Sequence, residues 1–396
     1  MNFPERFSKL PYYAFPRLRA LLQGTPPGRP DTITMTIGEP RHPMPAFVAE
    51  VLAGATAGFA VYPPNDGSDG LRGAIAEWVE GRYDVALDAD SQIMALNGTR
   101  EGLFNTVVAL CPETQRGKRP IVLMPNPFYQ VYAVAALAVG AEPVYVPATE
   151  TTGHLPDYAG LPPEVLNRAA VVFLCSPANP QGAVADRAYW HELLGLAERH
   201  DFRIFSDECY SEIWRDGPPP GGLELVAEAG TDPERVVVFN SLSKRSNMPG
   251  LRSGFVAGGP EAMAHVRQLR AYAGAPLPLP LQAVAEAAWR DEAHVVASRA
   301  LYAEKYRAAE ELLGGLPGYE TPEAGFFLWL PAPGGDGETA ALRLWREAGV
   351  KVLPGGYLAR SVGGETPGAD RIRVAMVAPL EEMRDGLARI RSCLYD

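Results

Sequence analysis

Val236-Val-Val-Phe-Asn-Ser-Leu-Ser-Lys-Arg-Ser-Asn-Met-Pro-Gly-Leu-Arg-Ser-Gly-Phe255 is an apolar run that passes into a polar loop. The loop carries Ser241, Ser243, Lys244 and, eight residues on, Arg252. A lysine just past a buried strand is partly desolvated, which disfavours its charged form. A neutral amine attacks carbonyl groups, and this is what a Schiff-base lysine requires. Ser241, Ser243 and Arg252 suit a phosphate. Taken alone, the same stretch also reads as a basic surface loop after a strand.

Six further apolar runs flank this one. They are Gln92–Leu96, Pro120–Met124, Glu142–Val146, Ala170–Leu174, Arg203–Ser206 and Gly254–Ala257. Several of the intervals, such as Leu71–Gly81 and Tyr189–His200, have helical periodicity. Continuous apolar strands are buried on both faces, and their alternation with helices predicts an α/β fold with a mostly parallel sheet flanked by helices. Residues 1–45 read as an irregular arm with one helix near Phe15–Leu22, and residues 46–285 as the large domain. The Pro-rich stretch 275–280 reads as a linker. Residues 286–396 read as a smaller α+β domain, with a long helical stretch over 281–313, strands at Ala324–Leu330 and Arg371–Met376, and a last helix near Pro379–Leu394.

Three other strand ends carry polar groups. Phe202-Arg-Ile-Phe-Ser-Asp-Glu-Cys-Tyr210 puts Asp207 at the carboxyl edge of the sheet, where ligands of open α/β sheets bind. A carboxylate there could hold a pyridinium nitrogen; the alternatives are a helix cap or a metal ligand. Val171–Gly182 ends in a turn with Asn179 between Pro177 and Pro180, either a hydrogen-bond donor to a ligand or an ordinary proline turn. Leu96-Asn-Gly-Thr-Arg-Glu101 opens a helix, and small residues there make an anion site or a plain capped start.

Composition narrows the function. The chain has 396 residues, 47% of them hydrophobic and 21% charged, and a net charge of -11. The only basic cluster, Arg116-Gly-Lys-Arg119, is too short for a nucleic-acid surface. No apolar run reaches the ~18 residues that would cross a membrane. Cys111, Cys175, Cys209 and Cys393 are widely spaced, so neither a zinc site nor a disulfide framework is expected. Free thiols and a charged beginning to the chain fit a cytoplasmic enzyme with no metal.

Taken in this order, the motifs resemble those of the fold-type I pyridoxal 5'-phosphate (PLP) enzymes, in the class I/II aminotransferase group related to aspartate aminotransferase. The resemblance spans Ile37-Gly-Glu-Pro40 to Arg373. Its most specific parts are Ser241-Leu-Ser-Lys244 with Gly250-Leu-Arg-Ser-Gly254, Asn179-Pro-Gln-Gly182 and Asp207-Glu-Cys-Tyr210. It implies that Lys244 binds the cofactor and moves protons, that Asp207 pairs with the ring nitrogen, and that Asn179 and Tyr210 bind the phenolic oxygen. Gly98, Thr99, Arg100, Ser241, Ser243 and Arg252 would cradle the phosphate, and Tyr129 would stack on the ring. Arg373, with Gly38 and Asn179, would hold the substrate α-carboxylate; Arg371 lies two residues earlier on the same strand side. It further implies cis bonds at Asn126-Pro127 and Asn179-Pro180, and a homodimer in which Tyr62 reaches the neighbouring phosphate.

Narrower stretches, Asn97-Gly-Thr-Arg-Glu101, Pro125-Asn-Pro-Phe-Tyr-Gln130, Ser206-Asp-Glu-Cys-Tyr-Ser-Glu-Ile213, Ser241-Leu-Ser-Lys-Arg-Ser-Asn-Met-Pro-Gly250 and Asp291-Glu-Ala-His294, are similar to proteobacterial succinyldiaminopimelate aminotransferases. That similarity implies transfer between amino acid and 2-oxo acid substrates in lysine biosynthesis. The alternatives are an aspartate, alanine or aromatic aminotransferase, or a PLP β-lyase. Arg41, directly after Gly38-Glu-Pro40, and Arg17 are candidates to read a distal carboxylate.

Overall fold

The computed structural model describes residues 5–8, 10 and 12–396. Met1 to Pro4, Lys9 and Pro11 of the expected arm lie outside the described residues. All seven apolar runs are strands of one sheet. From one edge the order is Ile93–Leu96, Gly254–Gly258, Val236–Ser241, Arg203–Asp207, Ala169–Cys175, Ile121–Asn126 and Glu142–Pro147. Gly254–Gly258 runs antiparallel to both its neighbours, and every other pairing is parallel.

The lack of polar alternation in these strands has a direct cause. Val172 and Leu174 enter one core with Ile121, Leu123, Ile204 and Val236. Val171 and Phe173, one residue out of phase, enter a second core with Val122, Met124, Phe205 and Val237. Successive side chains point to opposite faces, so a strand with a core on each side is apolar throughout. Helices cover both faces. Asp69–Tyr83 starts where Ser68 accepts from the Leu71 amide, and Arg187–His200 where Asp186 accepts from the Tyr189 amide. Such caps satisfy amides that have no partner within the helix.

A three-stranded antiparallel sheet, in the order Leu353–Pro354, Arg371–Ala375, Phe327–Pro331, has its own core. Ile33 and Met35 from the beginning of the chain pack into that core, and Ile33–Thr34 pairs with Val350–Lys351.

Two expectations change, and three short strands were not expected. The helical stretch 281–313 is two helices, Leu279–Arg290 and Ala293–Leu313. Asp291 is extended at the break, and its carboxylate accepts from the His294 amide at 3.0 Å, so a capping residue opens the second helix. The strand expected at 324–330 is Phe327–Pro331. The Ala324 and Gly325 amides instead donate to the Gly182 and Ile213 carbonyls, away from the ladder. The two-residue strands at 33, 350 and 353 are too short to show a period.

Candidate active site

The carboxyl ends of the parallel strands and the edge of the smaller sheet enclose a cleft of about 360 Å³. Asp207, Asn179, Ser241 and Lys244 enter it from the large sheet, and Phe327 and Arg373 from the small one. Strand ends converge there because five parallel strands all terminate on the same side.

Lys244 sits on a single helical turn, Leu242–Arg245. Ser241 caps this turn, accepting from the Ser243 amide at 3.1 Å. The Lys244 Nζ donates to the Gly38 carbonyl and lies 5.4 Å from the centre of the Phe326 ring. Burial is the main cause that brings its pKa down to about 8, so the neutral, nucleophilic amine is far more populated near neutral pH than for an ordinary lysine.

Asp207 ends its strand and is 5% exposed. The Tyr132 hydroxyl donates to Oδ2 at 2.6 Å, and the Cys209 amide donates to Oδ1 at 3.4 Å. Burial pushes the carboxyl pKa up. No arginine or lysine pairs with it among the described residues. Tyr132 stacks on Phe173 with ring centres 4.1 Å apart.

Arg373 is the cationic counterpart, also 5% exposed. Its Nη1 donates to Asn179 Oδ1 at 3.0 Å and its Nη2 to the Thr36 carbonyl at 2.7 Å. Among the described residues Nε has no partner and no carboxylate pairs with the guanidinium, and burial brings the pKa down to about 10. The guanidinium lies 4.1 Å from the centre of the Phe327 ring. With its oxygen committed to Arg373, the Asn179 side chain has its NH2 left to donate. Arg371 leaves the cleft, donating to Glu150 at 3.0 Å. Tyr210 is buried beside Phe326 and Phe327, which holds its phenol pKa well above the usual range.

At the other end, Gly98 caps the helix Thr99–Leu110 at φ +87, a conformation open to glycine. A Cβ there would run into the Arg252 guanidinium. Ser241 and Ser243 hydroxyls meet at 3.0 Å on the same side of the cleft. Thr99 contacts the Cys209 sulfur at 3.3 Å. The Arg100 side chain also lines the cleft, its Nε donating to the Tyr129 hydroxyl at 2.7 Å. Asn126-Pro127 and Asn179-Pro180 are cis, as the resemblance implied, and Ser176-Pro177 is cis as well.

Three expected residues lie off the cleft. Tyr62 is fully exposed. Arg41 donates to Glu382 at 2.6 Å on the surface. Arg17 donates to Glu338 at 3.1 Å and covers the Tyr357 ring in a neighbouring cavity. Both arginines are thus held by carboxylates of the C-terminal third, which the order of residues along the chain does not reveal. Tyr132, Phe327, Tyr13 and Phe15 line or support the site and were not read from the sequence. Tyr132 is one residue into the helix after Tyr129, and that proximity is the only local signal it had.

The profile of the family described as aminotransferase class I and II matches residues 30–390. A relative from Desulforudis audaxviator, named LL-diaminopimelate aminotransferase, is 32% identical over 402 residues, covering 100% of this chain and 99% of its own. A solved aminotransferase from Neisseria meningitidis superimposes with a TM-score of 0.94 at 38% identity, covering 98% of this chain and 99% of its own. A solved structure from Thermus thermophilus, titled probable N-succinyldiaminopimelate aminotransferase, superimposes with a TM-score of 0.83 at 30% identity, over 96% of this chain and 100% of its own.

Proposed function

Because the chain belongs to the aminotransferase class I and II family, whose cofactor is pyridoxal 5'-phosphate, we propose that it transfers the amino group of N-succinyl-diaminopimelate to 2-oxoglutarate. The observation that carries the chemistry is the convergence of Lys244, Asp207 and Arg373, none of them in an ion pair among the described residues, on one cleft. The curated relative named for diaminopimelate and the neighbour titled for its succinyl derivative support the substrate.

The residues present fit the cofactor. A buried carboxylate with no cation suits a cationic ring nitrogen at Asp207, since unpaired buried charge is costly. The Gly98 turn, which a Cβ would fill, lies with Ser241, Ser243, Arg252 and the Thr99–Leu110 helix start as a phosphate cradle. Pyridoxal 5'-phosphate supplies an aldehyde that takes up amines and a ring that withdraws electrons from the adjoining carbon.

Lys244, with its lowered pKa, acts as the nucleophilic amine and as the carrier of the proton on the substrate carbon. Asp207 keeps its negative charge against the ring nitrogen, held by Tyr132 and Cys209. Asn179 and Tyr210 would hold the ring oxygen and Tyr129 would cover the ring, since all three line the cleft. Arg373 takes the substrate α-carboxylate bidentately, oriented by Asn179 and Thr36, with the Gly38 backbone beside it. Tyr13, Phe15, Ile37, Phe327 and Leu358 limit water in the cleft.

Arg100 lines the cleft and has no carboxylate partner among the described residues, so we assign it the succinyl or distal carboxylate ahead of Arg41 and Arg17. A second reading is free LL-diaminopimelate, whose distal ammonium would suit Glu39 in the same cleft. We also infer a homodimer in which Tyr62 serves the partner's phosphate site. Related enzymes are dimeric, and Phe59, Val61 and Tyr62 form an exposed apolar and aromatic run. The separate cores of the two sheets support a cofactor unit and a smaller unit, with the arm residues Ile33 and Met35 in the smaller core; Ala288 and Trp289 pack in the large core, so we place the boundary at the helix break near Asp291 and not at 285.

The deciding experiment measures glutamate formed from 2-oxoglutarate with succinyldiaminopimelate, LL-diaminopimelate, N-acetylornithine, aspartate and alanine. The proposal requires the highest kcat/KM on the succinylated compound. Preference for the free form selects the second reading, and preference for aspartate or alanine removes diaminopimelate from consideration. Elimination without glutamate formation would make the chain a β-lyase.

A further inference from the structure

The three residues that follow Lys244 are each fastened to one corner of the fold, the break between the helices Leu279–Arg290 and Ala293–Leu313. Arg245 is 1% exposed; its Nη1 donates to the Ala288 carbonyl at 2.7 Å and its Nη2 pairs with Glu292. Ser246, fully buried, lies with its Oγ 2.8 Å from His294 Nε2. Asn247, at φ +53, donates from Nδ2 to Ser298 at 3.2 Å. The His294 ring continues the contact, with Nδ1 2.5 Å from Asp291 Oδ2.

The direction of this chain of hydrogen bonds follows from its ends. A carboxylate only accepts, so His294 Nδ1 carries the proton facing Asp291. Burial disfavours the charged ring, which leaves Nε2 as an acceptor. Ser246 must therefore donate to it, and the Ser246 oxygen in turn accepts from Arg245 Nη1 at 3.3 Å. Asp291, His294 and Ser246 are thus joined in one direction, with Asp291 Oδ2 accepting from both the His294 amide and its Nδ1. The Ser246 amide also closes the Lys244 turn by donating to the Leu242 carbonyl at 3.1 Å.

We propose that the Ser246–His294–Asp291 chain is a positioning device for Lys244: it fixes the backbone just after the lysine against the helix break and so sets where Nζ meets the cleft. None of the three touches the cleft, so they act through Lys244 alone. Ser246 is not a nucleophile here, because it is fully buried and does not line the cleft despite its resemblance to a serine–histidine–aspartate arrangement. The motif Asp291-Glu-Ala-His294 and the lysine loop, far apart in the chain, thus share one task. The inference rests on Lys244 being the lysine that binds the cofactor.

The test uses the cofactor-loaded enzyme and the variants Ser246→Ala, His294→Phe and their double. Each single variant should lower kcat roughly fivefold with little change in KM, the factor that one hydrogen bond's free energy carries. Each should also move the pH midpoint of the cofactor's visible absorption band, which reports the surroundings of Nζ. The double variant should be no worse than the singles, because the two groups act as one unit. A fall in Tm with kcat and band midpoint unchanged would overturn the proposal and leave the chain a purely structural feature. If His294→Phe does not fold, Ser246→Ala decides alone, since it removes one buried oxygen. Borohydride reduction and peptide mapping separate the two levels. Label on another lysine defeats the assignment of Lys244, whereas label on Lys244 with unaffected variants defeats only the positioning role.

Discussion

Lys244 and Lys305 are both held in the interior, and neither forms an ion pair among the described residues. Burial is the main cause that brings Lys244 to about 8 and Lys305 to about 7. Their settings differ in kind. Lys244 faces a cleft shared with Asp207, Arg252 and Arg373. Lys305 is 1% exposed beneath the segment carrying Arg41 and His42; its Nζ lies 2.6 Å from His42 Nε2 and 5.0 Å from the Tyr302 ring centre. Arg41 lowers its pKa further, and His42 is pushed down to about 4, by burial first and then by Lys305. A lowered lysine pKa therefore does not by itself mark a catalytic amine. Access to a cavity that also holds unpaired charge makes the distinction.

The largest expected effect breaks this comparison if it fails. Lys244→Ala should reduce transamination by roughly 10⁴-fold or more and abolish borohydride labelling, since it removes both nucleophile and proton carrier. Lys305→Met should leave kcat and labelling near those of the unaltered enzyme. Mixed with Tyr62→Ala chains, Lys244→Ala chains should recover part of the activity in hybrid dimers; no recovery would count against a shared site.

A smaller loss is expected when the surroundings of Lys244 change and the amine stays. Asp207→Asn should lower kcat by about a hundredfold or more, because breaking a buried pair costs roughly 3–5 kcal/mol. The variant should also lose cofactor faster on dialysis. Full activity in Asp207→Asn would mean that the ring nitrogen is held by another group.

The smallest effect concerns stability. Lys305 has a folded pKa of about 7 against an ordinary value of 10.5. Between these values the unfolded chain keeps the proton and the folded chain releases it, so stability rises with pH across that window. The penalty of the buried charge is complete below about pH 7 and is gone above the ordinary value. Lys305→Met should therefore raise Tm most near pH 7 and progressively less towards pH 10. A gain that does not vary with pH would show that Lys305 is not titrating in this range.

The seven strands were legible in the chain because burial on two faces leaves continuous apolar runs, and the helices Asp69–Tyr83 and Arg187–His200 because amphipathicity leaves a helical period. Lys244, Asp207, Asn179 and Arg252 each sit within a few residues of a strand end; taken singly those stretches also read as an ordinary loop, cap or turn, and only the family resemblance they carry together implied their roles. Tertiary structure alone decided the rest. Arg371 and Arg373 share one side of one strand in the sequence reading, yet Glu150 draws the first outward while Asn179 and Thr36 hold the second in the cleft. Arg41 and Arg17 were equally open until Glu382 and Glu338, more than 300 residues away, claimed them. Tyr132 under Asp207, and His294 against Ser246, are contacts between segments separated by 75 and 48 positions. Local periodicity reports which face of an element is buried; only the packed fold reports which distant group waits there, because that pairing depends on how whole elements close on one another.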